Sequence, residues 1–244
     1  MNKTIKLLSL LAVFAVMTAC DDDSKEVSPE VSDEVSLLVA TSVSSNTYGL
    51  NALIQQSVNL QQQAAGSTGG RSAYCDYTDT GEATVSSEEG SPFVFSYSYA
   101  YDVAVNCSAI EVPTSLSVDF TYAGSFDGPK MTWTHEGTGD FEISLDGDQN
   151  LVYNGTYDRS GSYDLKERDN INGMSEVTLT LTDITVDPET KTIISGTGNY
   201  DISVVRSDTQ YTLRGSLTFN GDDTATLDLN GSSVTFNLIT GVIR

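Results

Sequence analysis

Histidine, the usual general base beside a catalytic nucleophile, is scarce in this chain of 244 residues. Its single histidine, His135, follows Met131 and Trp133 at every second position, which is typical of side chains on the buried face of a strand. Catalysis by a Ser–His–Asp or Cys–His group needs a histidine poised beside the nucleophile. We therefore interpret His135 as a packed strand residue, and we predict that the protein is not an enzyme.

The chain has three cysteines, Cys20, Cys75 and Cys107. If Cys20 is modified, as the amino terminus indicates below, the other two are the remaining thiols in an exported and oxidising compartment. We predict that Cys75 and Cys107 form a disulfide, which would stabilise the fold by roughly 3–4 kcal/mol in the chain-entropy description. The rival interpretation, a zinc site, would need carboxylates beside these cysteines and His135. We predict no metal and no cofactor.

Paired carboxylates can hydrolyse glycosidic bonds, and the separation of the two carboxyl groups decides the stereochemical outcome. Asp119, Asp140 and Glu142 are the candidates embedded in predicted strands, but each lies on the polar parity of its strand. A hydrolase that acts on polysaccharide is therefore our third functional hypothesis.

The segment Asp146-Gly147-Asp148-Gln149-Asn150 has oxygen-bearing side chains at alternate positions, as a calcium loop does. It departs from the EF-hand pattern, because Leu151 stands at the sixth position and Tyr157 at the twelfth. The segment predicts a hairpin turn. Glycines occur in turns and strands and form neither a phosphate-binding loop nor a dinucleotide fingerprint.

Aromatic residues are the remaining candidates for ligand contacts. Tyr97, Tyr99, Tyr101, Tyr122 and Trp133 lie on the apolar parity of their strands. A tyrosine offers an apolar ring and a hydroxyl, so these residues can line a cavity for an apolar or sugar ligand. The alternative is ordinary packing in the core of a large curved sheet.

Two predicted helices precede the strands. Leu50, Leu53, Ile54 and Val58 recur at three- and four-residue steps, which predicts a helix over 48–64 that Gly66 ends. A shorter helix is predicted over 33–43, although its Val, Ser and Thr residues are poor helix formers. We assign 35–66 to this helical segment and 20–34 to a disordered, charged tether broken by Pro29.

From residue 74 to residue 244 the apolar residues recur at every second position, as in Phe95, Tyr97, Tyr99, Tyr101 and Val103. Short dipeptides that favour tight hairpin turns separate these runs: Asp127-Gly128, Asp146-Gly147, Asn172-Gly173, Asn220-Gly221 and Asn230-Gly231. The pattern predicts a mainly β fold, a strongly curved antiparallel up-and-down meander of roughly nine to eleven strands, with the helices packed on it. It leaves open whether this is an open sheet or a barrel.

Two features of the sequence depart from the regular alternation of apolar residues. Gly124, Gly155, Gly196, Gly198 and Gly215 occupy the apolar parity, where the missing side chains allow a sheet to bend or another element to approach. Near Asp183 the apolar residues change from odd to even positions. A slip of one residue inverts the faces of a strand, so a bulge or turn is expected there.

The amino terminus has Lys3 and Lys6, an apolar run over 7–17 too short to span a bilayer, and then Thr18-Ala19-Cys20. It resembles the signal peptide and lipobox of bacterial lipoproteins. The resemblance implies that 1–19 is removed and that acyl chains on Cys20 anchor the protein to a membrane, since two or more chains make attachment effectively permanent. The triplet Asp21-Asp22-Asp23 resembles the export tag of Bacteroidota lipoproteins, whereas in enterobacteria Asp after the cysteine tends to retain lipoproteins in the inner membrane. We expect the outer membrane, including its surface, rather than the inner membrane.

The net charge of −22 would become −24 once Lys3 and Lys6 leave with the signal peptide. Such a surface repels nucleic acid, and no cluster of Lys or Arg is present to contact phosphates.

Our leading hypothesis is a non-catalytic envelope lipoprotein that serves as a binding or structural module. The runner-up is a carrier or sensor of an apolar or sugar ligand held between the sheet and the helix. The sequence indicates no particular protein partner.

Overall fold

The computed structural model describes residues 28–66, 75–166, 171–207 and 209–244. Two helices precede ten strands, and a 3₁₀ turn, Ser45–Thr47, joins the helices. The helices are α1 Pro29–Val43 and α2 Leu50–Gly66; the strands are β1 Thr78–Ser86, β2 Val94–Cys107, β3 Pro113–Asp127, β4 Met131–Leu145, β5 Leu151–Leu165, β6 Ile171–Val186, β7 Ile193–Arg206, β8 Thr209–Phe219, β9 Thr224–Leu229 and β10 Ser232–Asn237. The predicted signal peptide, Cys20 and the triplet after it lie outside the described residues.

All ten strands form one antiparallel sheet in which each strand pairs with the next along the chain. The sheet does not close, since β1 and β10 are its two ends. The predicted mainly β meander with N-terminal helices is therefore confirmed, and the choice between open sheet and barrel is settled as an open sheet. No helix of the described part combines the length and apolar character needed to cross a bilayer.

One face of the sheet is apolar and carries both helices, and we call it the helix-side face. The opposite face, the polar face, is formed by the alternate residues and is largely exposed. Large side chains fill the centre of the helix-side face: Tyr97, Trp133, Tyr153, Tyr157 and Tyr200 are each at most 1 % exposed. The alternation in the sequence predicts this division, because successive side chains of a strand point to opposite faces.

The first helix begins earlier than the sequence analysis expects. Residues 29–34, assigned to the tether, are helical because Ser28 caps the helix and Pro29 occupies its first turn. The side-chain Oγ of Ser28 accepts a hydrogen bond from the Val31 amide at 3.4 Å. The carboxylate of Glu34 is buried on the sheet, so charge at this position anchors the helix rather than solvating a tether.

The second helix is close to its prediction and buries the expected stripe, which includes Leu50, Leu53, Ile54 and Val58. The side chain of Ser57 on this face donates a hydrogen bond of 3.0 Å to the hydroxyl of Tyr153 on β5. This contact fixes the middle of α2 over the centre of the sheet.

The disulfide between Cys75 and Cys107 is present, with Cα atoms 5.6 Å apart. It ties the segment before β1 to the end of β2. The prediction from the two remaining thiols is therefore confirmed.

The turn predictions are confirmed with one exception. Asn230 and Gly231 both have positive φ, as the tight turn between β9 and β10 requires, and the break near Asp183 is a bulge in which Asp183 has φ 51°. The exception is Asn172-Gly173, which lies inside β6 and pairs with Asp164 and Tyr163 of β5. Gly173 leaves room for the ring of Tyr163 and does not form a turn.

Close pairs of glycine and tyrosine recur across neighbouring strands. A Cβ on the glycine would collide with the tyrosine ring in each of five directly opposed pairs: Gly81 with Tyr101, Gly124 with Tyr97, Gly137 with Tyr122, Gly173 with Tyr163, and Gly215 with Tyr200. The ring covers the backbone of the adjacent strand, an arrangement known to compensate for glycine in sheets. Of the glycines predicted on the apolar parity, Gly124 and Gly215 thus provide space for rings, whereas a Cβ at Gly155 or Gly196 would meet the Asp140 carbonyl or Ile184.

Candidate functional site

The polar face contains a broad trough over strands β1 to β6. It has a volume of about 960 Å³. Its floor consists of small side chains such as Ser98 and Ser160, and the acidic side chains Glu82, Glu136, Asp158 and Glu176 stand around it. Because every contributing strand places its polar parity on this face, the trough follows directly from the alternation of the sequence.

The pairing register brings residues from five strands into one row across the trough. Ala123 of β3 lies opposite Glu136 of β4, which faces Ser160 of β5, followed by Glu176 of β6 and Ser203 of β7. Two carboxylates therefore flank one serine hydroxyl on neighbouring strands. No sequence motif marks this row, because its members come from strands distant along the chain.

A second depression of about 710 Å³ adjoins the first and shares Glu136, Ser160 and Glu176 with it. It reaches Met174 and Val205, which oppose each other across β6 and β7 and are 56 % and 41 % exposed. The trough thus has an acidic, hydroxyl-rich part and a smaller apolar end.

The carboxylates singled out in the sequence lie on the same face but outside the trough. Asp119 of β3 lies between Asp102 of β2 and Asp140 of β4 in the pairing register. Burial and then the charges of Asp140 and Asp102 raise the pKa of Asp119. Glu142 accepts a hydrogen bond of 2.9 Å from the Ser115 hydroxyl. Among the described residues, no group of three or more His, Cys, Asp or Glu side chains is arranged to hold a metal ion.

The segment Asp146-Gly147-Asp148-Gln149-Asn150 forms the predicted hairpin turn between β4 and β5. Asp146 Oδ1 accepts hydrogen bonds of 2.8 Å from the amides of Asp148 and Asn150. These bonds lower the pKa of the Asp146 carboxyl, with the side chain of Asn150 as the largest cause. The carboxylate is therefore used to stabilise the turn itself.

His135 lies on the helix-side face and is 4 % exposed. Its Nδ1 atom is 3.1 Å from Nη2 of Arg159. A guanidinium only donates hydrogen bonds, so Nδ1 must accept and the proton belongs on Nε2. Burial, followed by the positive charge of Arg159, places the pKa of His135 well below its usual value. This environment keeps the imidazole neutral and packed, as the sequence interpretation expects.

Arg159 itself is fully buried at the centre of the helix-side face. It donates hydrogen bonds to the carbonyls of Thr41 and Thr47 at 3.0 and 3.2 Å, and its guanidinium lies 4.4 Å from the ring centroid of Trp133. Thr41 belongs to the last turn of α1, where carbonyls lack helical partners and a cation is favourable. Arg159 therefore caps α1, a role that its sequence position between Asp158 and Ser160 did not reveal.

The five aromatic residues predicted as possible ligand contacts divide into two groups. Tyr97, Tyr122 and Trp133 are buried in the core, and Tyr97 donates a hydrogen bond of 3.0 Å to the carbonyl of Thr47. Tyr99 and Tyr101 are half-buried and line a separate groove of about 520 Å³ between α2 and strands β1 and β2. We call it the α2 groove.

No protein family matches this chain, and neither a curated protein nor a solved structure shows significant similarity to it.

Proposed function

We propose that this protein is a non-catalytic binding module of the cell envelope, anchored by acyl chains on Cys20, and that the trough on the polar face is its binding surface. The observation that carries the proposal is the contrast between the filled centre of the helix-side face and an uncovered trough of about 960 Å³ on the polar face. A carrier would need several hundred Å³ beneath the helices, whereas buried aromatic side chains and Arg159 occupy the centre of that region.

The chemistry of the trough favours a ligand rich in hydroxyl groups, such as an envelope glycan. The carboxylates of Glu136 and Glu176 accept hydrogen bonds, and the hydroxyl of Ser160 between them can both donate and accept. Hydrogen bonds to charged groups are stronger than those between neutral groups, so the carboxylates would dominate recognition.

Binding of purified envelope polysaccharides, measured by calorimetry, tests this proposal. Glu136→Gln and Glu176→Gln should each weaken binding about 5- to 150-fold, since a hydrogen bond to a charged group contributes about 1–3 kcal/mol. Asp222→Asn, in the turn after β8, is the matched control and should leave affinity unchanged. Lack of any glycan binding would contradict the assignment of the trough, and release of reducing ends during the assay would contradict the non-catalytic part.

The anchor has its own test. Cys20→Ala should release the protein from the membrane fraction or leave an unprocessed precursor, because the acyl chains provide the attachment. Recovery of the variant in membranes after an alkaline wash, in the same amount as the wild type, would contradict the anchor. Cys75→Ala is a suitable control because it removes a cysteine, and with it the disulfide to Cys107, without affecting the lipobox.

A second candidate, a carrier or sensor, is favoured by the α2 groove. Tyr99 and Tyr101 form one side of this groove, and polar residues of α2, including Gln56 and Asn59, form the other. A small ligand that copurifies with the chain and is lost on Tyr99→Ala would support the carrier over the trough proposal.

A further inference from the structure

The two edges of the sheet differ. Beside β10, the end of the chain folds back: the amide of Asn237 donates to the carbonyl of Val242, and the amide of Arg244 donates to that of Thr235, at 3.1 and 2.8 Å. Beside β1, the described residues provide no strand at all. An uncovered edge strand exposes a row of backbone donors and acceptors that can pair with another chain.

The outward-facing backbone groups of β1 can be identified from its pairing with β2. At one end of the pair, the amide of Ser87 donates to the carbonyl of Phe95. At the other end, the carbonyl of Tyr77 accepts from the amide of Val105, so the residues next to β1 that bond to the β2 side are odd-numbered. In an antiparallel pair, alternate residues bond to the partner and the others face away. The even-numbered residues of β1 therefore present their amides and carbonyls at the free edge: Thr78, Thr80, Glu82, Thr84 and Ser86.

In two of the four internal glycine–tyrosine pairs, the tyrosine hydroxyl reaches a third strand beyond the glycine. In the other two pairs, the hydroxyls of Tyr97 and Tyr163 bond instead to Thr47 and Glu34. Tyr122 of β3 extends across Gly137 of β4 and donates a 3.0 Å hydrogen bond to the carbonyl of Asp158 on β5. Tyr200 of β7 extends across Gly215 of β8, and its hydroxyl donates a 2.9 Å hydrogen bond to a carbonyl of β9. For Tyr122 and Tyr200 the acceptor is the residue immediately before the partner of the glycine on the third strand.

The same arrangement occurs at the edge formed by β1, where the described residues supply no third strand. Tyr101 of β2 lies across Gly81 of β1 in the same way, but its hydroxyl reaches the Asp79 carboxylate at 3.4 Å instead of a backbone carbonyl. The hydroxyl of Tyr101 thus corresponds to the donors by which Tyr122 and Tyr200 bind a backbone carbonyl of the next strand.

The charge around this edge indicates the chemistry of a partner. Between Arg71 and Lys130 the sequence contains nine acidic residues and no Lys, Arg or His. A second copy of the chain would bring two such regions together, and directly opposed like charges destabilise a strand pair. A segment with basic side chains would instead be attracted.

We propose that the free edge of β1 binds an extended segment of a partner protein, bearing Lys or Arg, as an additional antiparallel strand, and that Tyr101 donates a hydrogen bond to one of its carbonyls. This is strand addition, in which backbone hydrogen bonds provide affinity and alternate side chains provide specificity. The proposal goes beyond the trough and does not depend on its ligand.

The probe is a nine-residue peptide of alternating lysine and threonine, acetylated and amidated, matched to the nine residues of β1. Binding to the purified full chain is followed by fluorescence anisotropy and by amide hydrogen exchange of the even-numbered β1 residues. We expect these amides to exchange rapidly in the free protein and to become protected with the peptide. The same peptide with glutamate in place of lysine should bind at least 10-fold more weakly.

Two variants test the assigned contacts. Thr80→Pro removes an outward amide while leaving the bonds between β1 and β2 intact, and it should weaken peptide binding at least 10-fold, whereas Thr80→Val should not. Tyr101→Phe keeps the ring over Gly81 and should weaken binding about 3- to 10-fold, the equivalent of one hydrogen bond. Tyr211→Phe, on the distant strand β8, is its control. Glu136→Gln in the trough should leave peptide affinity within 2-fold, so failure of the trough proposal remains a separate result.

Four outcomes would overturn the proposal. Protection of the even-numbered amides in the free protein at every concentration would show that the chain's own segment fills the edge. Protection that rises with protein concentration would show pairing between copies. Absence of peptide binding at millimolar concentration would contradict strand addition. So would wild-type peptide affinity in both Tyr101→Phe and Thr80→Pro, provided that these variants melt at the same temperature as the wild type.

Discussion

The two faces of the sheet use charge in opposite ways. On the helix-side face, charged side chains are few and buried: Arg159 is fully buried, and Glu34 is 2 % exposed and bonded to Arg206 at 3.1 Å. On the polar face, charged side chains such as Arg214 and Asp201 pair in solvent. Exposed ion pairs contribute little to stability, whereas a buried charge must keep its partners or destabilise the fold. Charge on the helix-side face therefore positions α1, and charge on the polar face is available for ligands.

The contrast is also visible at the amino end of α1. Tyr163 of β5 donates a hydrogen bond to Glu34, and Arg206 of β7 forms an ion pair with the same carboxylate. Burial, followed by the hydrogen bond and the charge of Glu34, raises the pKa of Tyr163. Glu34 and Arg159 thus hold the two ends of α1 on one sheet, and a single helix spans both contacts.

The largest difference between the faces should appear when an arginine is removed from each. Arg159→Met should lower the free energy of unfolding by about 2–4 kcal/mol, because an unsatisfied buried acceptor costs about 1–3 kcal/mol and the contact with Trp133 is also lost. Arg214→Met, on the polar face, should change it by less than about 0.5 kcal/mol. Urea denaturation measures both, and equal effects would contradict the division between the faces.

A smaller effect is expected from filling a glycine site. Gly137→Ala places a Cβ against the Tyr122 hydroxyl and the Asp158 carbonyl, and overpacking of this kind costs about 1–3 kcal/mol. Gly147→Ala, in the exposed turn after β4, has nothing within 4 Å and is the control. The expected result is a lower melting temperature for the first variant alone; an unchanged one would refute the requirement for space at the tyrosine ring.

The smallest effect concerns pH. The pKa of His135 is lowered in the folded protein, so below its unfolded value of about 6.5 the unfolded chain binds the proton more readily. Stability should therefore fall as the pH decreases from 6.5 to 5, by at most about 1.4 kcal/mol per pH unit. His135→Gln should remove this slope, since the chain has no other histidine. The denaturation midpoint as a function of pH tests this, and an identical slope in the variant would assign it to other groups.

Part of the molecule could be predicted from local patterns. The alternation after residue 74 predicted the strands, the spacing of Leu50 to Val58 predicted the buried side of α2, and the shift at Asp183 predicted a bulge. The turn at Asn230-Gly231 was predicted because few residues other than glycine and asparagine adopt positive φ readily. These features depend on residues that are close together in the chain, so local sequence patterns are enough to predict them.

Other features depend on contacts between residues far apart in the chain. Asn172-Gly173 has the composition of a turn, but the ring of Tyr163 on the adjacent strand requires the glycine. The sequence places Glu34 in a charged tether, but in the structure its carboxylate is bonded to Tyr163 and Arg206 from two distant strands. The trough, with Glu136, Ser160 and Glu176 in one row, exists only through the pairing register.

The sequence by itself determined the period of the strands, the positions of most turns, the cysteine pair and the acidic charge of the surface. The tertiary structure alone decided that the sheet stays open, that Arg159 caps a helix beneath it, and that Tyr101 lies over Gly81 at a free edge. The physical reason is that period and turn chemistry act over a few residues, whereas register and burial depend on which strands become neighbours.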